Sequence, residues 1–328
     1  MIQNLAAYIE PSSYAEAASQ PEWQEAMHKE FDALHSNNTW ELVELPRGKR
    51  PISCKWVYKV KYKADGSVER CKARLVVRGF TQKEGVDYNE TFSPVVKMTT
   101  IRGFIATAVK KQWPLPQLDV NNAFLHGDLD EDIYMKPPPG LVVPGSNIVC
   151  KLHKSLYGLK QASRQWYSKL SDTLRSLGFQ HSKNDYSLFH KLQDSSIILV
   201  AVYVDDIIIT GNNPTDITAL KTCLDDKFKI KDLEELSYFL GMEIIKVSNG
   251  LILTQRKFAL DLLKEFHCDS LSATCCPLGP LSKAFPTDTL VYAFAYRRLV
   301  DKLNYLSNTR PDIAFAVQYL GQFLQAPT

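Results

Sequence analysis

The run Ile197-Ile198-Leu199-Val200-Ala201-Val202-Tyr203-Val204-Asp205-Asp206-Ile207-Ile208-Ile209 decides the fold, because two adjacent carboxylates interrupt a stretch that is otherwise apolar. Two carboxylates about 4 Å apart repel by roughly 4 kcal/mol at an effective dielectric of 20. A site that keeps them together needs positive charge, and divalent cations supply it most simply. Successive side chains of a regular strand point to opposite faces, so both acids serve one site only where the chain turns at or beside them. A hairpin tip meets that condition. The alternative is a tip with two solvated acids, since Asp is a common turn residue and accepts local backbone hydrogen bonds. A third acid, Asp119, ends the strand-like stretch Trp113 to Val120 and precedes Asn121-Asn122-Ala123-Phe124. Three acids on two strand ends suit two metal ions. Mg²⁺ takes oxygen ligands and few protein carboxylates, leaving positions for water and substrate phosphates. Two ions roughly 3.5 to 4 Å apart stabilise the attacking and the leaving oxygen of an in-line phosphoryl transfer.

At 328 residues the chain exceeds one typical domain, so two or three subdomains are expected. No apolar stretch reaches the ~18 residues that a membrane span needs, because Asp205 and Asp206 break the longest candidate. The first ten residues have no basic start and too short an apolar segment for a signal peptide, and a cytoplasmic address is expected. Seven cysteines, at 54, 71, 150, 223, 268, 275 and 276, lack the paired spacing of a zinc module and read as reduced thiols. The net charge of +3 is uneven: twelve Lys or Arg and two acids lie between Arg47 and Lys83, a local excess of ten. Such a surface suits a polyanionic template or a triphosphate. A solvated, Lys-rich hairpin face has the same composition.

Ser19 to Leu34 reads as an amphipathic helix with Pro21 in its first turn and Trp23, Met27, Phe31 and Leu34 along one face, a packing element without chemistry. Ile52 to Val77 alternates as a long basic hairpin around Ala64-Asp65-Gly66. Glu131 to Met135 reads as a short strand closed by Pro137-Pro138-Pro139-Gly140. A helix is expected from about Leu159 to Leu177, with Trp166, Leu170, Leu174 and Leu177 on its buried face and Gly178 as its stop. Gln161 and Arg164 fall off that stripe, where they face a ligand or water. A strand near Tyr186 to His190, the Asp-Asp hairpin, and a helix capped by Asn213 with Pro214 at its first position come next. The apolar stripe of that helix is Ile217, Leu220, Leu224 and Phe228. This order implies an α+β fold with a split β-α-β antiparallel sheet backed by helices. Tyr238 to Ile245 and Leu251 to Thr254 form a further hairpin around Ser248-Asn249-Gly250. Helices follow over Phe258 to Phe266, Tyr296 to Leu306 and Asp312 to Leu324, with a loop from Ser270 to Thr289.

Six blocks in order carry a resemblance: Lys72-Ala73-Arg74-Leu75-Val76, Glu90-Thr91-Phe92-Ser93-Pro94-Val95, Leu118-Asp119-Val120-Asn121-Asn122-Ala123-Phe124-Leu125-His126-Gly127, Leu156-Tyr157-Gly158-Leu159-Lys160-Gln161, Tyr203-Val204-Asp205-Asp206, and Phe239-Leu240-Gly241-Met242-Glu243-Ile244. Over nearly its whole length the chain resembles the reverse transcriptase region of a copia-type LTR retrotransposon polyprotein. The resemblance implies a right-hand polymerase: an N-terminal helical segment over 1–50, fingers over 51–112, a palm with further fingers elements over 113–254, and a helical thumb over 255–328. It implies RNA-directed DNA synthesis, with Asp119, Asp205 and Asp206 as the catalytic metal ligands for two Mg²⁺ or Mn²⁺ ions. It places Lys72, Arg74, Phe124 and Gln161 at the nucleotide, Phe124 against the sugar, and Leu240, Gly241 and Met242 in a primer grip. The partners it implies are an RNA or DNA template with its primer, deoxynucleoside triphosphates, and the RNase H region of a polyprotein beyond Pro327-Thr328, with no membrane. Within an active element the setting would be a virus-like particle.

Two other readings compete. An RNA-binding module is also built on a split β-α-β sheet, and Arg78-Gly79-Phe80 begins like its signature. The continuation Thr81-Gln82-Lys83 lacks the stacking aromatics, and three clustered carboxylates would repel RNA unless metals were present. A catalytically silent fragment that keeps the fold and nucleic-acid affinity is the closer rival. Asp301 stands where the family has a small Gly, on an otherwise apolar helix face, and Pro277 to Ala295 matches the family poorly. A buried acid at Asp301 is expected to cost about one to three kcal/mol.

Overall fold

The computed structural model describes residues 9–63, 67–268, 270–274, 277–278 and 292–327. In it the Asp-Asp turn joins strands Ser196–Tyr203 and Asp206–Gly211 in an antiparallel hairpin. That hairpin lies inside a six-stranded sheet, in the order Ile230–Glu235, Pro116–Val120, Asp206–Gly211, Ser196–Tyr203, Leu188–Gln193, Gln180–His181. Helices Ala162–Ser176 and Pro214–Phe228 pack on the sheet, where Leu118, Val120, Val200, Val202, Ile207 and Ile209 interlock with Trp166, Leu170, Leu174, Ile217, Leu220, Leu224 and Phe228. Each such side chain, once fully buried, contributes about 1.5–3 kcal/mol. The second helix starts as its sequence indicates: the Asn213 side chain accepts from the Thr215 N–H at 3.0 Å, and Pro214 fills the first helical position.

The basic hairpin pairs Cys54–Tyr62 with Val68–Val77. Trp56, Tyr58, Val60, Ala73, Leu75 and Val77 point inward to a core shared with Trp23, Met27 and Leu34 of helix Pro21–Ser36. The expected turn at Ala64-Asp65-Gly66 lies outside the described residues, as do Cys275, Cys276 and most of the Pro277 to Ala295 stretch. A third sheet orders Trp40–Glu44, Ile148–Lys154 and Asp128–Met135.

The chain divides into two units: Met1–Phe104 with Pro116–Leu233, and Ile105–Leu115 with Glu234–Thr328. In the second, strands Tyr238–Phe239, Met242–Val247 and Gly250–Thr254 form an antiparallel sheet. Helices Arg256–Glu265, Ala293–Leu306 and Ala314–Gly321 follow. Asp301 is exposed on the second of these, so the expected burial cost does not arise. Nearby, Glu265 pairs with Arg298 at 2.7 Å and with Lys302.

Several boundaries differ from the sequence reading. The strand ending at Val120 begins only at Pro116, the one expected at Tyr186 to His190 runs Leu188–Gln193, and the last helix is a short 3₁₀ turn, Pro311–Ile313, followed by Ala314–Gly321. Helix Met98–Lys111 and strands Trp40–Glu44, Ile148–Lys154 and Ile230–Glu235 were not anticipated. No helix among the described residues is long and apolar enough to cross a membrane.

Candidate active site

Asp206 faces Asp119 directly across the ladder between Asp206–Gly211 and Pro116–Val120, a pairing in which Cβ atoms lie about 4.5–5.5 Å apart. Their neighbours Leu118, Val120 and Ile207 enter the helix-covered core, so the two acids lie on the other face of the sheet. Val204-Asp205 is the two-residue loop between the paired Tyr203 and Asp206, and its geometry is unusual. Val204 has φ +54°, a left-handed backbone that costs a β-branched residue roughly 1–3 kcal/mol. The Asp205 carbonyl accepts from the Val120 N–H at 2.9 Å, which ties the loop to the strand end carrying Asp119.

The electrostatics match this crowding. Burial, then the Asp205 charge, raises the Asp119 pKa against the pull of Lys72, Lys231 and Arg74. Asp206 is raised by burial and by both other acids, and partly offset by the Gln117 amide, whose Nε2 donates to its carboxylate at 3.1 Å. Asp119 and Asp205 line one cleft of about 500 Å³, while Asp206 is turned to Gln117. Among the described residues no group of three or more His, Cys, Asp or Glu side chains converges tightly enough to hold a metal ion. Two cleft-facing carboxylates nonetheless fit Mg²⁺, which commonly takes one or two of them together with substrate phosphates.

The opposite wall of the cleft is the outer face of the basic hairpin: Val57, Lys59, Lys61, Arg70, Lys72 and Arg74. Lys59 pairs with Lys72 and Lys61 with Arg70 across the strands. Like charges directly opposite one another destabilise a sheet, so this face concentrates positive charge at a cost in stability, offset in part where Lys59 pairs with Glu10 at 3.1 Å. Burial and the neighbouring Arg74, Arg70 and Lys61 lower the Lys72 pKa. Arg74 lies over the Tyr157 ring, 4.1 Å from its centroid, and its buried Nε has no hydrogen-bond partner. Burial pushes the Tyr157 hydroxyl up to about 12. Phe124 stands half-buried in the 3₁₀ turn Ala123–His126, edge-on to Tyr157 with centroids 4.8 Å apart. It approaches the cations through that ring.

Sequence reasoning missed Glu30. It is 6% exposed on helix Pro21–Ser36, and its Oε1 accepts from the Leu75 N–H at 3.3 Å, beside the strand that carries Lys72 and Arg74. Burial raises its pKa, and Arg74 and Lys72 pull the other way. The signal was present: Trp23, Met27, Glu30 and Leu34 share the helical spacing of the apolar stripe.

Gln161 does not reach the cleft. It is fully buried, donating through Nε2 to the Asp87 carbonyl at 3.0 Å and to Glu131 at 3.3 Å, and accepting from Gln82 at 3.0 Å. Its departure from the apolar stripe reflects this polar knot. In the second unit, Leu240 and Gly241 form a left-handed turn, φ +49° and +72°, and the Tyr305 hydroxyl donates to the Leu240 carbonyl at 2.6 Å. A Cβ on Gly241 would lie 1.7 Å from that hydroxyl oxygen, so a larger residue would displace Tyr305 as well as strain the left-handed backbone. Met242 is buried.

Residues 37–280 match the family described as Reverse transcriptase (RNA-dependent DNA polymerase). The chain is 46% identical over 329 residues to the Retrovirus-related Pol polyprotein from transposon RE1 of Arabidopsis thaliana, covering 99% of this chain and 22% of that polyprotein. It is 42% identical over 334 residues to the Pol polyprotein from transposon TNT 1-94 of Nicotiana tabacum, covering 97% of this chain and 25% of that one. The chain thus spans about a fifth to a quarter of these relatives. Among solved structures, a foamy viral protease-reverse transcriptase in complex with double-stranded DNA aligns over 92% of this chain and 43% of that one, at 13% identity and a TM-score of 0.43, a level that carries no weight of its own.

Proposed function

This chain belongs to the reverse transcriptase family, and from that premise we propose that it extends a primer 3′-hydroxyl with deoxynucleotides, copying an RNA or DNA template. The observation that carries the proposal is one cleft of about 500 Å³ that sets Asp119 and Asp205 against Lys59, Lys61, Arg70, Lys72 and Arg74. Acids alone repel a triphosphate, and cations alone cannot activate a hydroxyl. Divalent cations, two Mg²⁺ or Mn²⁺ ions in this proposal, supply Lewis-acid charge at the attacking and leaving oxygens when bound. Asp119 and Asp205 would hold them, and Asp206, whose carboxylate accepts from Gln117 at 3.1 Å, would stand beside them as a third carboxylate. Lys72 and Arg74 bind the triphosphate, Lys72 as a point charge and Arg74 as a planar fork preset by the Tyr157 ring. Phe124, braced by Tyr157, excludes a 2′-hydroxyl. In the same proposal the basic hairpin belongs to the fingers, the six-stranded sheet with its two helices is a split β-α-β palm, and the helices after residue 254 form the thumb. The Leu240-Gly241-Met242 turn offers backbone to the primer. An RNase H region belongs to the same polyprotein.

The test is primer extension on a poly-RNA template with purified protein and Mg²⁺, beside an Asp205→Asn control. Extension by the unmodified chain alone supports the enzyme. Extension by neither favours the catalytically silent form, and RNA binding that survives EDTA without synthesis favours a binding module.

A further inference from the structure

The acid loop is held from below by one side chain with no role so far. Trp166 is 1% exposed on helix Ala162–Ser176, and its Nε1 donates to the Val204 carbonyl at 2.6 Å. Val204 is the strained loop residue, φ +54°, immediately before Asp205 and Asp206. The fully buried Trp23, by contrast, leaves its Nε1 without a partner. The position of Trp166 is set by packing on both sides. Its ring lies edge-on to Phe228, centroids 5.1 Å apart, and tilted against His126 at 5.9 Å. Gly127 allows the helix to approach, since a Cβ there would lie 2.8 Å from the Trp166 backbone nitrogen and 2.9 Å from the Gln165 carbonyl carbon.

We infer that Trp166 is the positioning residue for the two-acid loop: its indole N–H holds Val204 in a left-handed backbone that valine resists, and thereby fixes where the Asp205 and Asp206 carboxylates stand. A strained conformation persists only where its surroundings over-determine it, and such strain gathers at functional sites. Here two hydrogen bonds do so, from Trp166 to the Val204 carbonyl and from the Val120 N–H to the Asp205 carbonyl. Without the indole donor, the half-buried carbonyl loses its partner and valine relaxes toward ordinary backbone angles. The loop then presents its acids in several arrangements instead of one.

The inference rests on the polymerase reading, and a double-mutant cycle over Trp166→Phe and Val204→Gly separates the two. Phe keeps an aromatic ring and removes the donor; glycine adopts φ near +54° without strain. The cycle is read as extension rate against Mg²⁺ concentration and as melting temperature. Trp166→Phe alone should lower extension about tenfold, the loss expected for an acceptor left without its donor, and raise the Mg²⁺ needed for half-maximal rate. With Val204→Gly present, the same change should cost less than about twofold in rate and fewer degrees of melting temperature. Equal penalties in both backgrounds, or no shift in the Mg²⁺ requirement, overturn the inference, because a purely packing role is additive. If the unmodified chain extends no primer, the polymerase reading falls and the melting cycle still decides this one. If Trp166→Phe does not fold, Val204→Asn is compared with Val204→Ala: asparagine tolerates a left-handed backbone, so its variant should melt higher. Equal melting, or the reverse order, overturns the inference.

Discussion

In the acid hairpin, Asp205 and Asp206 are set by sheet register, a left-handed loop and hydrogen bonds to both loop carbonyls. In the basic hairpin, Lys59 faces Lys72 and Lys61 faces Arg70 on an outer face that water reaches. Both crowd like charges, but the acids are locked by backbone and core, whereas the cations hang on long side chains held at scattered points: Arg74 over the Tyr157 ring, and Lys59 paired with Glu10 at 3.1 Å. The contrast fits a division of labour. Metal-holding groups gain from a fixed geometry, because misplacement is costly in the transition state. Groups that follow a triphosphate gain from reach and a high density of charge.

The largest test of this contrast falls on the acids. Asp205→Asn should lower extension by about 10²- to 10³-fold, the range seen when a principal electrostatic contributor is removed. Asp119→Asn should do the same and yet stabilise the fold. The raised pKa of Asp119 means that its ionised form costs folded-state stability at neutral pH. The variant should therefore melt higher near pH 7, and the gain should vanish as pH falls toward the unfolded value near 3.9. A lower melting temperature would show the acids to be structural. Next in size, Arg74→Ala and Lys72→Ala should raise KM for nucleotide about 10- to 100-fold with a smaller fall in kcat, and Arg74→Lys should recover only part of the loss because it cannot grip two oxygens. Equal falls in kcat and kcat/KM would place these cations in the chemical step and erase the division of labour.

Much of this was legible in the chain, for identifiable reasons. The Asn213-Pro214 start and the stripe Ile217, Leu220, Leu224, Phe228 were readable because capping and helical period agree there. The acid hairpin was readable because nothing apolar explains two adjacent carboxylates. Helix Met98–Lys111 was not, since Thr99, Thr100 and Gly103 are weak helix formers that tertiary packing overrides. Strand Ile230–Glu235 was hidden because five of its six residues are exposed and it shows no alternation. In the site, the sequence put Asp119, Asp205 and Asp206 at two strand ends, but the register that sets Asp119 opposite Asp206, the Asp206 bond to Gln117, the buried Gln161 and the buried Glu30 depend on contacts between residues far apart in the chain.

Smaller effects sharpen the contrast further. Phe124→Ala should relax discrimination against ribonucleotides by about tenfold in a nucleotide competition assay, the weight of one well-placed steric contact; unchanged discrimination would leave Phe124 as packing for Tyr157. Glu30→Gln should be the mildest. The raised Glu30 pKa means that its charge opposes folding at neutral pH, so the amide, which still accepts the Leu75 N–H, should melt slightly higher near pH 7, with the difference closing as pH falls toward about 4.3. The same variant should raise nucleotide KM roughly two- to threefold, as Arg74 and Lys72 lose their buried counter-charge. An unchanged KM would confine Glu30 to the hairpin edge.

The central claim is that Asp119, Asp205 and Asp206 together hold divalent cations for nucleotide joining. Titration with Mn²⁺, followed by electron paramagnetic resonance in the presence of primed template and a deoxynucleoside triphosphate, tests it most directly. The account predicts about two bound ions per chain in the unmodified protein, with loss of at least one in Asp119→Asn and in Asp205→Asn. Binding that is unchanged when all three aspartates are replaced by asparagine would contradict it.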